Sequence, residues 1–198
     1  MTIHMPPGPD GVAKRAFTAD DVRRMVEAGI LDEGEHVELV EGELIEIPAK
    51  GFAHDRVKNA LARRLGRALP DSVYLATEST LQLGPTLLLE PDILVARRES
   101  VLASPEGFAT VGPGGILLVI EVALSSAPYD RDRKAGIYAG HGVPEYWVLD
   151  LNERAAVVHR GPLPAGYADV VTHGPEAVLQ PLSPDIAGVA VRLDDLEL

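Results

Sequence analysis

Cysteine is absent from the chain. That removes disulfides, thiolate zinc sites and cysteine nucleophiles, and it fits a reducing compartment. No uninterrupted apolar run approaches the roughly 20 residues that span a bilayer. The opening stretch, Met1-Thr-Ile-His-Met-Pro-Pro-Gly-Pro-Asp10, has no signal-peptide apolar core, so a cytoplasmic location and no membrane partner are expected. Positive charge is also short: 18 Lys and Arg stand against 30 Asp and Glu, a formal net charge of −12. Phosphate binding is dominated by Lys and Arg, so this balance argues against a protein that coats nucleic acid nonspecifically. It leaves room for a nuclease, whose metal site needs carboxylates.

What is present is an ordinary globular composition, with 46% hydrophobic and 24% charged residues over 198 positions. That length builds one domain with a sizeable core. Residues 1–16, rich in Pro and Gly, read as a flexible leader, and residues 17–198 as a single domain. "FTADDVRRMVEAGIL" predicts a first helix with Thr18 as N-cap and Val22, Met25 and Val26 as its apolar stripe. "HVELVEGELIEI" predicts a hairpin turning at Glu41-Gly42. "HDRVKNALARRLGRAL" predicts a second helix, with His54 on the same face as Val57, Leu61 and Leu65. Two strand-like stretches follow, 73–83 and 87–96, with Gly84-Pro85 as the turn of an antiparallel pair. "GILLVIEVAL" reads as a strand buried on both faces. "DRDRKAGIYAGHG" reads as a short helix and "EYWVLDL" as another central strand. A closing pair of β-segments completes an α/β domain with a mixed sheet flanked by helices.

Three acids are oddly placed in this pattern. Asp92 follows Pro91 and opens a core strand, Glu121 interrupts the most apolar strand, and Glu43 sits beside the hairpin turn. An acid at a strand edge ordinarily points to solvent, but apolar residues flank Glu121 on both sides. Two acids at neighbouring strand positions repel and raise one another's pKa unless a cation lies between them. Mg²⁺ is held by one or two carboxylates together with substrate phosphates. Tyr146 and Trp147 alternate like core residues, Asp150 reads as a turn residue, and His141 and His159 read as surface residues.

Pro91-Asp92 followed by "IEV" resembles the core of the PD-(D/E)XK nuclease superfamily, which has the restriction-endonuclease-like fold. "VELVEGELIEI", His54 opening a helix, "EPDILV", "LLVIEVALSS", then Asp130, Lys134 and Tyr138, and "GVPEYWVLD" together resemble the Uma2 family, formerly DUF820, over about residues 17–198. The resemblance implies that Asp92 and Glu121 are metal carboxylates for Mg²⁺ or Mn²⁺ and that the Val122 carbonyl adds a ligand. It implies that Glu43 and His54 line the same pocket, Glu43 completing the metal shell or holding its water and His54 orienting water or touching phosphate. The superfamily's usual lysine falls at Ala123, and Lys134 on the next helix is the candidate replacement. The implied activity is a metal-dependent endonuclease that cuts DNA phosphodiester bonds to leave a 5′-phosphate and a 3′-hydroxyl. A homodimer is implied by analogy, two sites cutting two strands.

The basic residues form clusters. Arg56, Lys58, Arg63, Arg64 and Arg67 crowd the second helix, Arg97 and Arg98 follow the Asp92 strand, and Arg131 and Arg133 surround Lys134. Arg56, Arg63, Arg67, Arg97 and Arg131 are the expected DNA contacts; Arg64 falls near the apolar stripe and must snorkel or find an acid. With −12 overall, DNA affinity is expected to be weak and salt-sensitive. Two other readings stay open: a noncatalytic nucleic-acid- or protein-binding module of the same fold, and a metal-dependent hydrolase of another phosphorylated substrate.

Overall fold

The computed structural model describes residues 15–32 and 35–196. The leader expected over residues 1–16 lies outside the described residues up to position 14. In chain order the helices are α1 (Ala19–Glu27), α2 (Phe52–Ala68), α3 (Ala127–Tyr129) and α4 (Ala135–Gly140), with a π-helical turn, Asp130–Lys134, between the last two. The strands are β1 (Val37–Val40), β2 (Glu43–Glu46), β3 (Val73–Thr77), β4 (Leu81–Gly84), β5 (Leu87–Leu89), β6 (Ile93–Arg97), β7 (Val101–Ala103) and β8 (Ala109–Val111). They continue with β9 (Ile116–Ala123), β10 (Glu145–Asp150), β11 (Ala155–Leu163), β12 (Gly166–His173), β13 (Val178–Leu179) and β14 (Val191–Arg192). The architecture is mixed α/β, as expected, with two six-stranded sheets ordered β2-β1-β5-β4-β8-β7 and β12-β11-β10-β9-β6-β3.

The chain divides into two compact units. The first takes Met1–Ala49, Thr80–Glu90 and Leu102–Thr110. Its helix α1 starts where the sequence predicts, because Thr18 and Asp21 form a reciprocal cap. The Asp21 N–H donates to Thr18 Oγ1 at 3.1 Å, and the Thr18 N–H donates to Asp21 Oδ2 at 3.0 Å. The helix packs Ala19 and Val22 against Leu39 and Leu88, with Met25 and Val26 at the margin. The β1–β2 hairpin turns at Glu41-Gly42, both at positive φ (52° and 88°), the pairing a two-residue turn of this kind requires. A side chain at 42 would also be blocked, since an added Cβ would lie 2.5 Å from the Ala16 Cβ.

The second unit takes Lys50–Ser79, Pro91–Val101 and Val111–Leu198. Its central strand β9 is buried at all eight positions, antiparallel to β6 and parallel to β10. Side chains alternate along a strand. Leu118, Ile120 and Val122 therefore share one face, where they pack with Val57, Leu61 and Leu65 of α2 and with Trp147 and Leu149 of β10. Glu121 is on the opposite face. Burial of Tyr146 and Trp147 agrees with their reading as core residues.

Two expectations are corrected. The stretches 73–83 and 87–96 are not one long hairpin: each is broken in two, and β3 pairs β6 in one sheet while β4 pairs β5 in the other. The break falls at Glu78, at φ 49°, which no extended strand accommodates. His159 is buried, not at the surface; its ring lies 5.3 Å from that of Tyr146 and 5.5 Å from that of Tyr167. Burial pulls its imidazole pKa down.

Thr18→Ala removes one half of the cap and should cost about 1 kcal/mol of stability, read as a lower urea midpoint with unchanged slope.

Candidate active site

Register brings the two acids together. β6 pairs β9 with Ile93 opposite Ile120, so Asp92, one residue earlier, stands opposite Glu121, one residue later. Directly opposed side chains in an antiparallel pair share a face with Cβ atoms about 4.5–5.5 Å apart. The backbone locks them reciprocally. The Asp92 N–H donates to Glu121 Oε2 at 3.2 Å, and the Val122 N–H donates to Asp92 Oδ2 at 2.8 Å. Both carboxylates are buried.

Each acid then meets its own cation. Lys134 Nζ donates to Glu121 Oε1 at 3.0 Å, and Tyr138 Oη donates to the same oxygen at 3.2 Å. Lys134 is also 3.8 Å from Asp130, its neighbour one turn back, so Glu121 is the closer partner. The π-helical turn delivers Lys134: the Ala135 N–H reaches back five residues to the Asp130 carbonyl, which also accepts from Tyr146 Oη at 3.1 Å. Such wide turns recur at functional sites.

Asp92 takes its partners from the start of α2. His54 Nε2 lies 2.9 Å from Asp92 Oδ2, and Lys50 Nζ donates to Asp92 Oδ1 at 2.7 Å. Burial pushes the Asp92 carboxyl up, but the His54 hydrogen bond and the Lys50 charge outweigh it and bring its pKa down to about 2. Lys50 continues to Glu78 Oε1 at 3.1 Å. Buried Lys58 joins Glu78 Oε2 at 2.6 Å to Asp55 at 3.1 Å. His54 Nδ1 lies 3.5 Å from Asp55 Oδ1 and closes a ring of six side chains. That contact is too long for a hydrogen bond, which leaves Nδ1 buried with no hydrogen-bond partner. Burial drags Lys50 down, yet Asp92 and Glu78 outweigh it and raise its pKa. Burial likewise pushes Glu78 up, and Lys58 and Lys50 together bring it below its usual range.

A family profile described as "Putative restriction endonuclease", Uma2, matches residues 20–192. The chain belongs to the Uma2 family. It is also similar in structure to a "putative nuclease belonging to DUF820" from Anabaena variabilis ATCC 29413, with 16% identity, a TM-score of 0.70, and coverage of 91% of this chain and 97% of that one. At that identity the likeness speaks for the fold. No curated protein matches the chain.

In this Uma2 chain Asp92, Glu121, Lys134 and His54 all lie in the second unit and are joined by the contacts above. Glu43 lies on β2 of the first unit. Lys50, Glu78, Lys58 and Asp55 went unnoticed in the sequence as site residues. Lys58, grouped there with the other basic residues of the second helix, is buried among acids. Of the basic residues expected at DNA, Arg56, Arg63 and Arg67 are exposed on α2. Arg97 pairs with Asp185 at 2.7 Å, and Arg131 with buried Asp150, so a phosphate at either must compete with an acid. Asp150 also accepts the Asn152 and Glu153 N–H groups, combining its expected turn role with that ion pair. Arg64 finds its acid in Asp195, at 2.8 Å.

The depressed Asp92 pKa fixes a pH dependence. The stability it supplies is complete above its ordinary value of 3.8 and is lost as pH falls through about 2. The gap in unfolding free energy between wild type and Asp92→Asn, measured in EDTA by urea titration, should be widest near neutral pH and narrow below about pH 4. A gap independent of pH would remove the ion-pair account of Asp92.

Proposed function

We propose that the chain is a divalent-metal-dependent endodeoxyribonuclease. The observation that carries this reading is the directly opposed Asp92–Glu121 pair with Lys134 Nζ 3.0 Å from Glu121. The donor set suits a hard cation. Mg²⁺ takes one or two carboxylates and fills its remaining positions with water and phosphate oxygens. Among the described residues no three His, Cys, Asp or Glu side chains are grouped as metal ligands, so a closed protein cage is not offered.

Asp92 and Glu121 would hold Mg²⁺ or Mn²⁺. The Val122 carbonyl would join them, since in an antiparallel pair a residue's N–H and C=O face the same edge, and the Val122 N–H already faces Asp92. Glu43, in the first unit, takes no part in the proposal. A bound ion supplies Lewis acidity and a water of lowered pKa. His54 holds the Asp92 carboxylate at a fixed angle through Oδ2. Lys134 offers positive charge beside Glu121, where negative charge grows on a phosphate under attack. Tyr138 keeps the Glu121 carboxylate from rotating. The exposed Arg56, Arg63 and Arg67 would follow a DNA backbone, with affinity falling steeply in salt. Two copies of the chain would supply one cut to each strand.

The rival is a binding module without catalysis, favoured by one observation: protein donors already satisfy both carboxylates. Supercoiled plasmid separates the two. Wild type with Mg²⁺ or Mn²⁺ should nick it, and Glu121→Gln should lose roughly a hundredfold or more in rate. Equal trace nicking by both proteins would rule out DNA hydrolysis at this site.

A further inference from the structure

Asp92 Oδ2 is enclosed: its partners, His54 Nε2 and the Val122 N–H, are both buried. Oδ1 differs, because its partner Lys50 has a side chain 22% exposed against 3% for Asp92. A cation arriving from water therefore meets Asp92 at the oxygen where an ammonium already sits. Both cannot occupy one acceptor at bonding distance without strong repulsion.

Glu78 has the geometry to receive what is displaced. Its Oε1 is 3.1 Å from Lys50 Nζ, and its Oε2 is held at 2.6 Å by buried Lys58, which Asp55 anchors in turn. Its backbone is held at φ 49°, a conformation non-glycine residues rarely adopt and one that persists only where surrounding contacts enforce it. Its N–H is bonded to the Pro91 carbonyl at 3.2 Å, which ties it to the segment that carries Asp92. Glu78 thus stays in place if Lys50 leaves Asp92.

We propose that Lys50 is a resident counter-ion of Asp92 that an entering divalent cation displaces, Glu78 retaining the released ammonium. The inference rests on the metal-site reading given under the proposed function. On this scheme the tethered ammonium competes with metal at high effective concentration and weakens its apparent affinity. Lys50 is a positioning residue, holding the Asp92 carboxylate ready while no metal is bound.

Mn²⁺ titration of the metal-free full chain by calorimetry tests this, with wild type, Lys50→Met and Asp92→Asn compared at one salt concentration. Methionine keeps most of the lysine stem and removes the charge. Lys50→Met should bind Mn²⁺ roughly tenfold more tightly than wild type, the scale of one lost charge-assisted hydrogen bond. A second measurement needs no variant: saturating Mn²⁺ should speed acylation of Lys50 in wild type by an amine-directed reagent, read by peptide mass spectrometry. Mn²⁺ affinity in Lys50→Met equal to or weaker than wild type, or Lys50 acylation unchanged or slowed by Mn²⁺, overturns the displacement scheme and leaves the metal site standing. Binding in wild type and Lys50→Met no tighter than in Asp92→Asn overturns the metal site and the scheme together.

Discussion

Two carboxylates face one another across β6 and β9 in a buried part of the second unit, and what surrounds them follows from that constraint. Two like charges about 5 Å apart at an effective dielectric near 20 repel by about 3 kcal/mol, before any cost of taking them out of water, and that is the scale of the problem an opposed acid pair sets. A fold that keeps both must supply cations at close range. It does so from separate segments. The π-helical turn brings Lys134 to Glu121, and the residues at the start of α2 bring Lys50 and His54 to Asp92. The Asp92 and Val122 amides add fixed dipoles where β6 and β9 meet. The same register that creates the repulsion therefore also positions part of what offsets it.

The acids were legible because each violates a local rule. An apolar run such as "LLVIEVAL" has no place for a carboxylate unless something pays for its burial, and Pro91-Asp92 opens a strand with an acid beside a residue that cannot donate. Lys134 was legible only through the spacing of Asp130, Lys134 and Tyr138 in the family pattern, not from any property of its own. Lys50 and Glu78 left no trace. They are 28 positions apart and meet only because β3 and the start of α2 converge on Asp92. Glu78 also hides its own signal: a positive φ is ordinarily announced by glycine, and here contacts enforce it on a glutamate. That is why 73–83 read as one strand. His159 was misread for a related reason, since alternation along a strand says which residues share a face but not whether that face is covered.

Ala123 sharpens the chemistry further. It is fully buried at the end of β9, on the same face as Glu121, at the position where the superfamily pattern has lysine. A lysine there would be fixed to the strand that carries Glu121. In this chain the two ammonium groups instead arrive from different segments, one at each carboxylate: Lys134 at Glu121 and Lys50 at Asp92. Lys134, with a nearly buried side chain, is set by the π-helical turn, whereas Lys50 precedes α2 and is partly exposed. The two cations are therefore unequal in freedom, and only one sits where solvent reaches.

If the site takes a divalent ion, as proposed, that inequality bears on how folding and metal binding would be coupled. A zinc finger has no folded state without its ion, because its ligands have no other partners. Here both carboxylates already accept hydrogen bonds from protein donors, so the proposed ion would enter a site whose acids are partnered without it. On the proposed scheme, metal affinity would measure a difference, the gain at the ion less the loss of an ion pair, rather than a folding free energy. On the proposed function, such a site would bind its ion weakly and exchange it readily. Weak binding and ready exchange would suit the proposed role, in which a substrate's phosphate oxygens complete the coordination and ion and substrate bind together more tightly than either does alone.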